Sequence, residues 1–150
     1  MTTLNQAEKQ QEKPKAVKAS HVFAAFRDVL IQQFRIEIQE DLIPKFKAAM
    51  IDLDKQKEEI IEKYHNEALA ENRLKALKLE VLHARDQDIE DIKKMFNTEI
   101  SAHIRSLKGE RLTEEVKNEF GDVKFRNVVK FPDGSKAQVQ RLFIPYADFN

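Results

Sequence analysis

From Lys45 to Lys108 the chain runs for 64 residues without a glycine or a proline, and all three glycines (Gly109, Gly121, Gly134) come after that run. One helix of that length would be roughly 96 Å long, at about 1.5 Å per residue. A compact domain of 150 residues has a radius of gyration of only about 15 Å. The run must therefore fold back on itself, or stay extended and find a partner for its apolar stripe.

That stripe has three sections. Phe46, Met50, Leu53, Ile60 and Tyr64 follow a 4-3 helical spacing, with Lys57 as the one polar exception. The same register carried forward lands on Glu67 and Glu71, and the stripe resumes, shifted, as Ala70, Leu74, Leu77, Val81 and Ala84. A coiled coil absorbs such a skip as a local change in winding. Arg85-Asp86-Gln87-Asp88 then offers nothing apolar. Asp86 or Asp88 is placed to cap a fresh helix, with Glu90 and Asp91 in its first turn. The last section is Ile89, Ile92, Phe96, Ile100 and Leu107, ending on Lys108 and a C′ glycine, Gly109. Two arrangements follow: a helical hairpin turning near 85–88, or one uninterrupted rod. In both, Phe46, Met50, Leu53, Ile60, Tyr64, Leu74, Leu77 and Val81 form the expected oligomer or partner interface, intermolecular contact being favoured over packing within one chain.

Before the run, residues 1–19 carry four Lys and two Glu with almost nothing to bury, and read as a disordered, slightly basic tail. Ser20 is placed as an N-cap for an amphipathic helix over 20–42, marked by Phe23, Phe26, Leu30, Phe34, Ile38 and Leu42. Phe34 to Ile38 also alternates as a strand would. Pro44 suits the first turn of a new helix and disfavours helical geometry at Ile43, which predicts a kink or break there.

After the run, Thr113 is placed to cap a short helix through Phe120, with Leu112, Val116 and Phe120 at i, i+4 and i+8, ended by Gly121. Val123, Phe125, Val129 and Phe131 then alternate with Lys124, Arg126, Val128 and Lys130. Pro132-Asp133-Gly134-Ser135 has the chemistry of a turn, and a second alternating segment runs through Val139 and Phe143. This predicts a two-stranded β-hairpin with Val123, Phe125, Val129, Phe131, Val139 and Phe143 on its covered face. Two strands are marginal alone, so a helix or second chain must cover that face. The last six residues, with Tyr146 and Phe149, read as a tail that tucks onto the core. The fold class is mainly α: long helices, as an extended hairpin or coiled coil over 20–108, followed by a short helix and hairpin module over 109–150.

Charged residues make up 35% of the chain, against about a quarter in ordinary globular domains, and tryptophan is absent. This composition favours long, surface-rich helices. Net charge is zero, so no bulk field marks the chain for nucleic acid or membrane. The one strongly basic region is 123–141, where Lys124, Arg126, Lys130, Lys136 and Arg141 face only Asp133. Without cysteine there is no disulfide framework and no Cys-based zinc site. With no signal-type leader and no long apolar run, a soluble, cytoplasmic protein is expected.

Nothing in the chain resembles a phosphate loop, a nucleophile elbow or an activated nucleophile, and neither a catalytic residue nor a cofactor is expected. Glu62-x-x-His65 and Glu80-x-x-His83 repeat the pattern used by di-iron bundles. On one helix the two pairs would stand about 27 Å apart, which makes a metal-binding bundle a distant third reading. Lys124, Arg126, Lys130, Lys136, Gln138 and Gln140 form a basic ribbon face of the kind that enters a major groove, or a solvated face that guards an edge. The expected function is non-enzymatic: an assembly, scaffold or adaptor protein, a homo-oligomer whose helices bind partner proteins. The alternative is a nucleic-acid-binding accessory protein, dimerised by its helices and docking the basic ribbon and tail.

Overall fold

The computed structural model describes residues 17–150, and the expected N-terminal tail lies almost wholly outside them. Helix α1 (Ala19–Glu37) passes through a single π turn (Ile38–Leu42) into α2 (Ile43–Tyr64). The predicted break before Pro44 does not form: Ile43 is helical, at φ −61° and ψ −49°, and its N–H bonds to the Ile38 carbonyl. Pro44 has no N–H to give, and its ring would crowd the carbonyl one turn back. One extra residue in the preceding turn absorbs this locally, as π turns commonly do.

The reversal of the long run lies at His65–Asn66, twenty residues before the predicted turn, and α3 (Glu67–Ser106) continues unbroken through 85–88. The single rod is likewise not formed. His65 adopts a left-handed conformation (φ 49°) that ends α2. The Asn66 side-chain oxygen accepts the N–H groups of Ala68 (2.9 Å) and Leu69 (3.2 Å), capping α3. Arg85-Asp86-Gln87-Asp88 contains no helix breaker, and its polarity only marks positions away from the core. The skipped register at Glu67 and Glu71 was the truer sign of the turn.

Three strands follow: β1 (Glu110–Lys117), β2 (Val123–Lys130) and β3 (Lys136–Gln138), antiparallel in the order β1-β2-β3. The helix expected after Thr113 is therefore strand β1. Leu112 and Val116 at i, i+4 share a strand face as readily as a helix face. Pairing along all of β2, from Glu110↔Lys130 to Lys117↔Val123, decides between them. Gly121 (φ 83°) serves the β1–β2 turn, where the Asn118 side chain accepts the N–H groups of Phe120 and Asp122.

The chain forms two compact units. In the first (17–28 and 100–140), the start of α1 and the end of α3 pack on one end of the sheet. Phe23 meets Phe131 with ring centroids 5.8 Å apart, and Phe23, Ile104, Val129 and Phe131 are buried. Gly109 lies so close to Val129, Phe131 and Ile104 that a Cβ would stand 2.5 Å from the Val129 methyl. Val129 and Phe131 thus keep their predicted face, but the helices stop short of its other end. Val123 is 45% and Phe125 68% exposed. Phe143 is also exposed, because β3 ends at Gln138 and the second alternation does not continue as strand; Leu142 and Ile144 are buried in its place.

The helix α1 starts one residue before its predicted cap. Ser20 lies in the first turn and its N–H donates to the Ser135 hydroxyl (3.0 Å), while the Ala19 N–H donates to the Asp133 carboxylate (2.7 Å). The β2–β3 turn therefore caps α1.

In the second unit (29–99 and 141–150), Leu30, Phe34, Ile38, Leu42, Ile43 and Phe46 face Ile89, Ile92 and Phe96 of α3 around one core. Phe34 and Phe96 meet edge to face at 5.8 Å. The C-terminal segment adds Leu142, Ile144 and Phe149, the last on a 3₁₀ turn (Tyr146–Phe149) and 5.7 Å from Phe46. Phe149 thus tucks in as expected, whereas Tyr146 stays exposed.

Candidate functional site in the seam of the helical hairpin

All eight residues read as an interface lie on α2 and α3, which turn back on each other at His65–Asn66. Lys45 of α2 is level with Asp88 of α3, joined by a 3.0 Å ion pair, and Phe46 is level with Arg85. The stripe of α2 therefore meets the stripe of α3 within one chain. Phe46 is buried at one end of this seam, and Ile60 with Ala70 beside the turn. Between them the seam is open. None of residues 47–59 or 71–88 is buried; Met50, Leu53, Leu74, Leu77 and Val81 are half-buried, as is Tyr64 near the turn. Ile51, Leu79, Ile61 and Leu69 on the same two helices are exposed.

Two apolar grooves flank the Phe46–Arg85 level. One, of about 450 Å3, is floored by Phe46, Met50, Ile51, Leu82 and Phe149 and rimmed by Lys47, Lys78 and Arg85. The other, of about 200 Å3, is lined by Leu42, Ala49, Val81 and Ala84, with Glu80 and the Lys45–Asp88 pair on its rim. Arg85 separates the grooves. Its guanidinium lies over the rings of Phe46 (5.2 Å) and Phe149 (5.8 Å) and donates twice to Asp86 (3.0 and 2.8 Å). An arginine held over two rings and tied to a carboxylate is a fixed wall rather than a mobile charge. Sequence reasoning assigned Arg85 to a polar turn and did not single out Ile51 or Leu82 at all. Only their helical spacing from Lys47 and Lys78 could have grouped them.

The second predicted surface differs in composition from its expectation. Lys124, Arg126, Lys130, Lys136 and Gln138 do share one sheet face, but β1 adds Glu110 and Glu114 to it. Glu114 bonds to Arg126 (3.2 Å) and reaches diagonally across β2 to Lys136 (2.7 Å). These two hydrogen bonds hold its carboxyl below the ordinary glutamate range. The bridge passes over Val128, which is buried although it belongs to the outer face. Gln140 lies beyond β3 and is exposed.

The two Glu-x-x-His pairs do not converge. His65 sits in the inter-helix turn and His83 about 27 Å further along α3. Among the described residues no three carboxylate or imidazole groups stand where they could hold a metal ion, and no helix is long and apolar enough to cross a membrane. No protein-family model, curated protein or solved structure matches the chain.

Proposed function

We propose that this is a non-enzymatic assembly or adaptor protein whose α2–α3 hairpin receives a helix of a partner protein along its open seam. The observation that supports this reading is the absence of any buried residue over 47–59 and 71–88, although both stretches carry large apolar side chains. Two helices alone leave Met50, Leu53, Leu74, Leu77 and Val81 half wet. A third helix laid in the seam would remove them from water, with about 1.5–3 kcal/mol available for each large side chain fully covered. Recognition of an amphipathic helix by an apolar groove works in this way.

The test is the double variant Met50→Asp with Leu77→Asp. Both sites are half-exposed, so the fold should persist, with far-UV circular dichroism like that of the wild type. Association, followed by light scattering for self-assembly and by affinity for any partner that wild-type protein retains, should fall at least tenfold. Unchanged association in the folded double variant would refute the proposal.

The alternative of a nucleic-acid-binding ribbon has weaker support, because Glu114 engages Arg126 and Lys136 and Glu110 adds further negative charge to the same face. Retention on DNA through a salt series tests it, since phosphate contacts weaken steeply as salt rises.

A further inference from the structure

The sheet has two edges, and they are treated differently. β3 is three residues long, and its outward backbone is engaged: Arg27 of α1 donates to the Gln138 carbonyl oxygen at 2.6 Å. β1 is eight residues long, paired one-to-one with β2 without a bulge, and contains no proline. Asn118 donates its N–H to the Asp122 carbonyl (3.0 Å). Strict alternation along the ladder then spends the backbone groups of Val116, Glu114, Leu112 and Glu110 on β2. Those of Arg111, Thr113, Glu115 and Lys117 point away from the sheet, and among the described residues no backbone group outside the sheet bonds to them. A straight edge of this kind is a template for another strand.

We propose that β1 pairs with β1 of a second copy of this chain, antiparallel about a twofold axis at Thr113, so that Arg111 of each chain lies opposite Glu115 of the other. Charge and overlap together select this register: an axis at Val116 would also set opposite charges, Glu115 and Lys117, against each other, but would pair only residues 115–117 of each strand. An axis at Glu114 would set Glu114 against itself and Arg111 against Lys117. Moving it to Leu112 would set Glu110 against Glu114, and moving it to Glu115 would oppose that carboxylate to its own copy. Like charges directly opposite destabilise a pair of strands, and opposite charges stabilise it. Registers centred between residues would oppose an outward-bonding residue to one already bonded to β2.

The covered and bare ends of the sheet fit the same register. Arg111 shares a row with the covered Val129, and Glu115 shares a row with the exposed Phe125. Ser101 of α3 accepts a hydrogen bond from Arg111 (2.9 Å), which places the end of that helix over the Arg111 row. Setting Arg111 of one copy beside Glu115 of the other brings the second copy's helix end alongside the bare Phe125. Each copy covers the end of the sheet that the other leaves open.

The experiment measures mass by sedimentation equilibrium on the full chain, across micromolar to submillimolar concentration. Wild type should approach twice the chain mass of 17.5 kDa. Thr113→Pro removes only an outward N–H, a change tolerated at a sheet edge, and should shift the midpoint at least tenfold toward monomer. Arg111→Glu alone and Glu115→Arg alone should do the same, and the two together should restore the dimer. Restoration in the double variant also shows that the single variants did not fail through misfolding. A wild-type monomer throughout, or a dimer indifferent to Thr113→Pro and to both charge reversals, overturns the inference. If such a dimer is instead lost on Met50→Asp with Leu77→Asp, self-association belongs to the helical seam; the edge pairing is then wrong and the seam reading stands.

Discussion

Lys108 and Gly109 exchange the roles that their residue types suggest. The Gly109 N–H reaches the Ile104 carbonyl (2.9 Å) and the Lys108 N–H the Arg105 carbonyl (3.0 Å), the two bonds that close a helix through a left-handed residue. Lys108, not the glycine, holds the left-handed position (φ 55°). Gly109 is needed instead for the space it leaves beside Val129 and Phe131. Opposite outcomes follow for neighbouring substitutions. Lys108→Gly should stabilise by about 1 kcal/mol, the cost of a left-handed side-chain residue, and Gly109→Ala should destabilise by about 1–3 kcal/mol through overpacking; urea denaturation measures both. His103 presents another departure at this scale. Its ring stacks on Phe26 (4.0 Å) and Phe23 (6.0 Å), its Nε2 is buried without a hydrogen-bond partner among the described residues, and burial lowers its pKa below 6.5. The unfolded chain therefore binds a proton more readily than the folded one. Stability is unaffected by this group above pH 6.5 and falls as pH drops from there through the lower folded value. His103→Phe keeps the stack and should remove this group's share of the loss of thermal stability that sets in as pH falls below 6.5.

At the scale of elements, periodicity was legible where burial enforced it, and misled at 113–120 and beyond Gln138, where it did not. The apolar spacing from Phe23 to Phe46, the restart at Ile89 and the Val129–Phe131 face were all readable, because burial imposes them directly. The turns and ends were not. Asn66 is an ordinary N-cap residue, but it follows no glycine or proline, and its neighbour His65 supplies the left-handed step without glycine. The strand at β1 was unreadable locally, since a spacing of four serves either structure and only pairing with β2 resolves it. The seam stripe named Phe46, Met50, Leu53, Leu77 and Val81 but missed Arg85 and Phe149, whose place depends on a C-terminal segment returning to α2. Asn66→Ala tests the turn: it should cost about 1 kcal/mol and raise amide exchange over the first turn of α3 while leaving β1 to β3 protected.

For the molecule as a whole, acid weakens the fold in stages. Asp133 accepts hydrogen bonds from the Ala19 N–H and from Ser135, and its pKa is lowered from 3.8 to about 2. Its contribution and that of Glu114, lowered from 4.5, are present above those ordinary values and lost as pH falls through the folded ones. Asp133→Ala should remove the deepest part of that acid loss, lower the melting temperature by about 2–4 °C, the size of one lost helix cap in a chain of this length, and speed amide exchange at residues 19–22. The same contact joins positions 114 residues apart. A ribosome adding about 5–20 residues per second would release the start of α1 roughly 6–23 s before the turn that closes it. Through that interval the helix carries open N–H groups at its leading end, so its first turn settles only after the whole of α2, α3, β1 and β2 has been made.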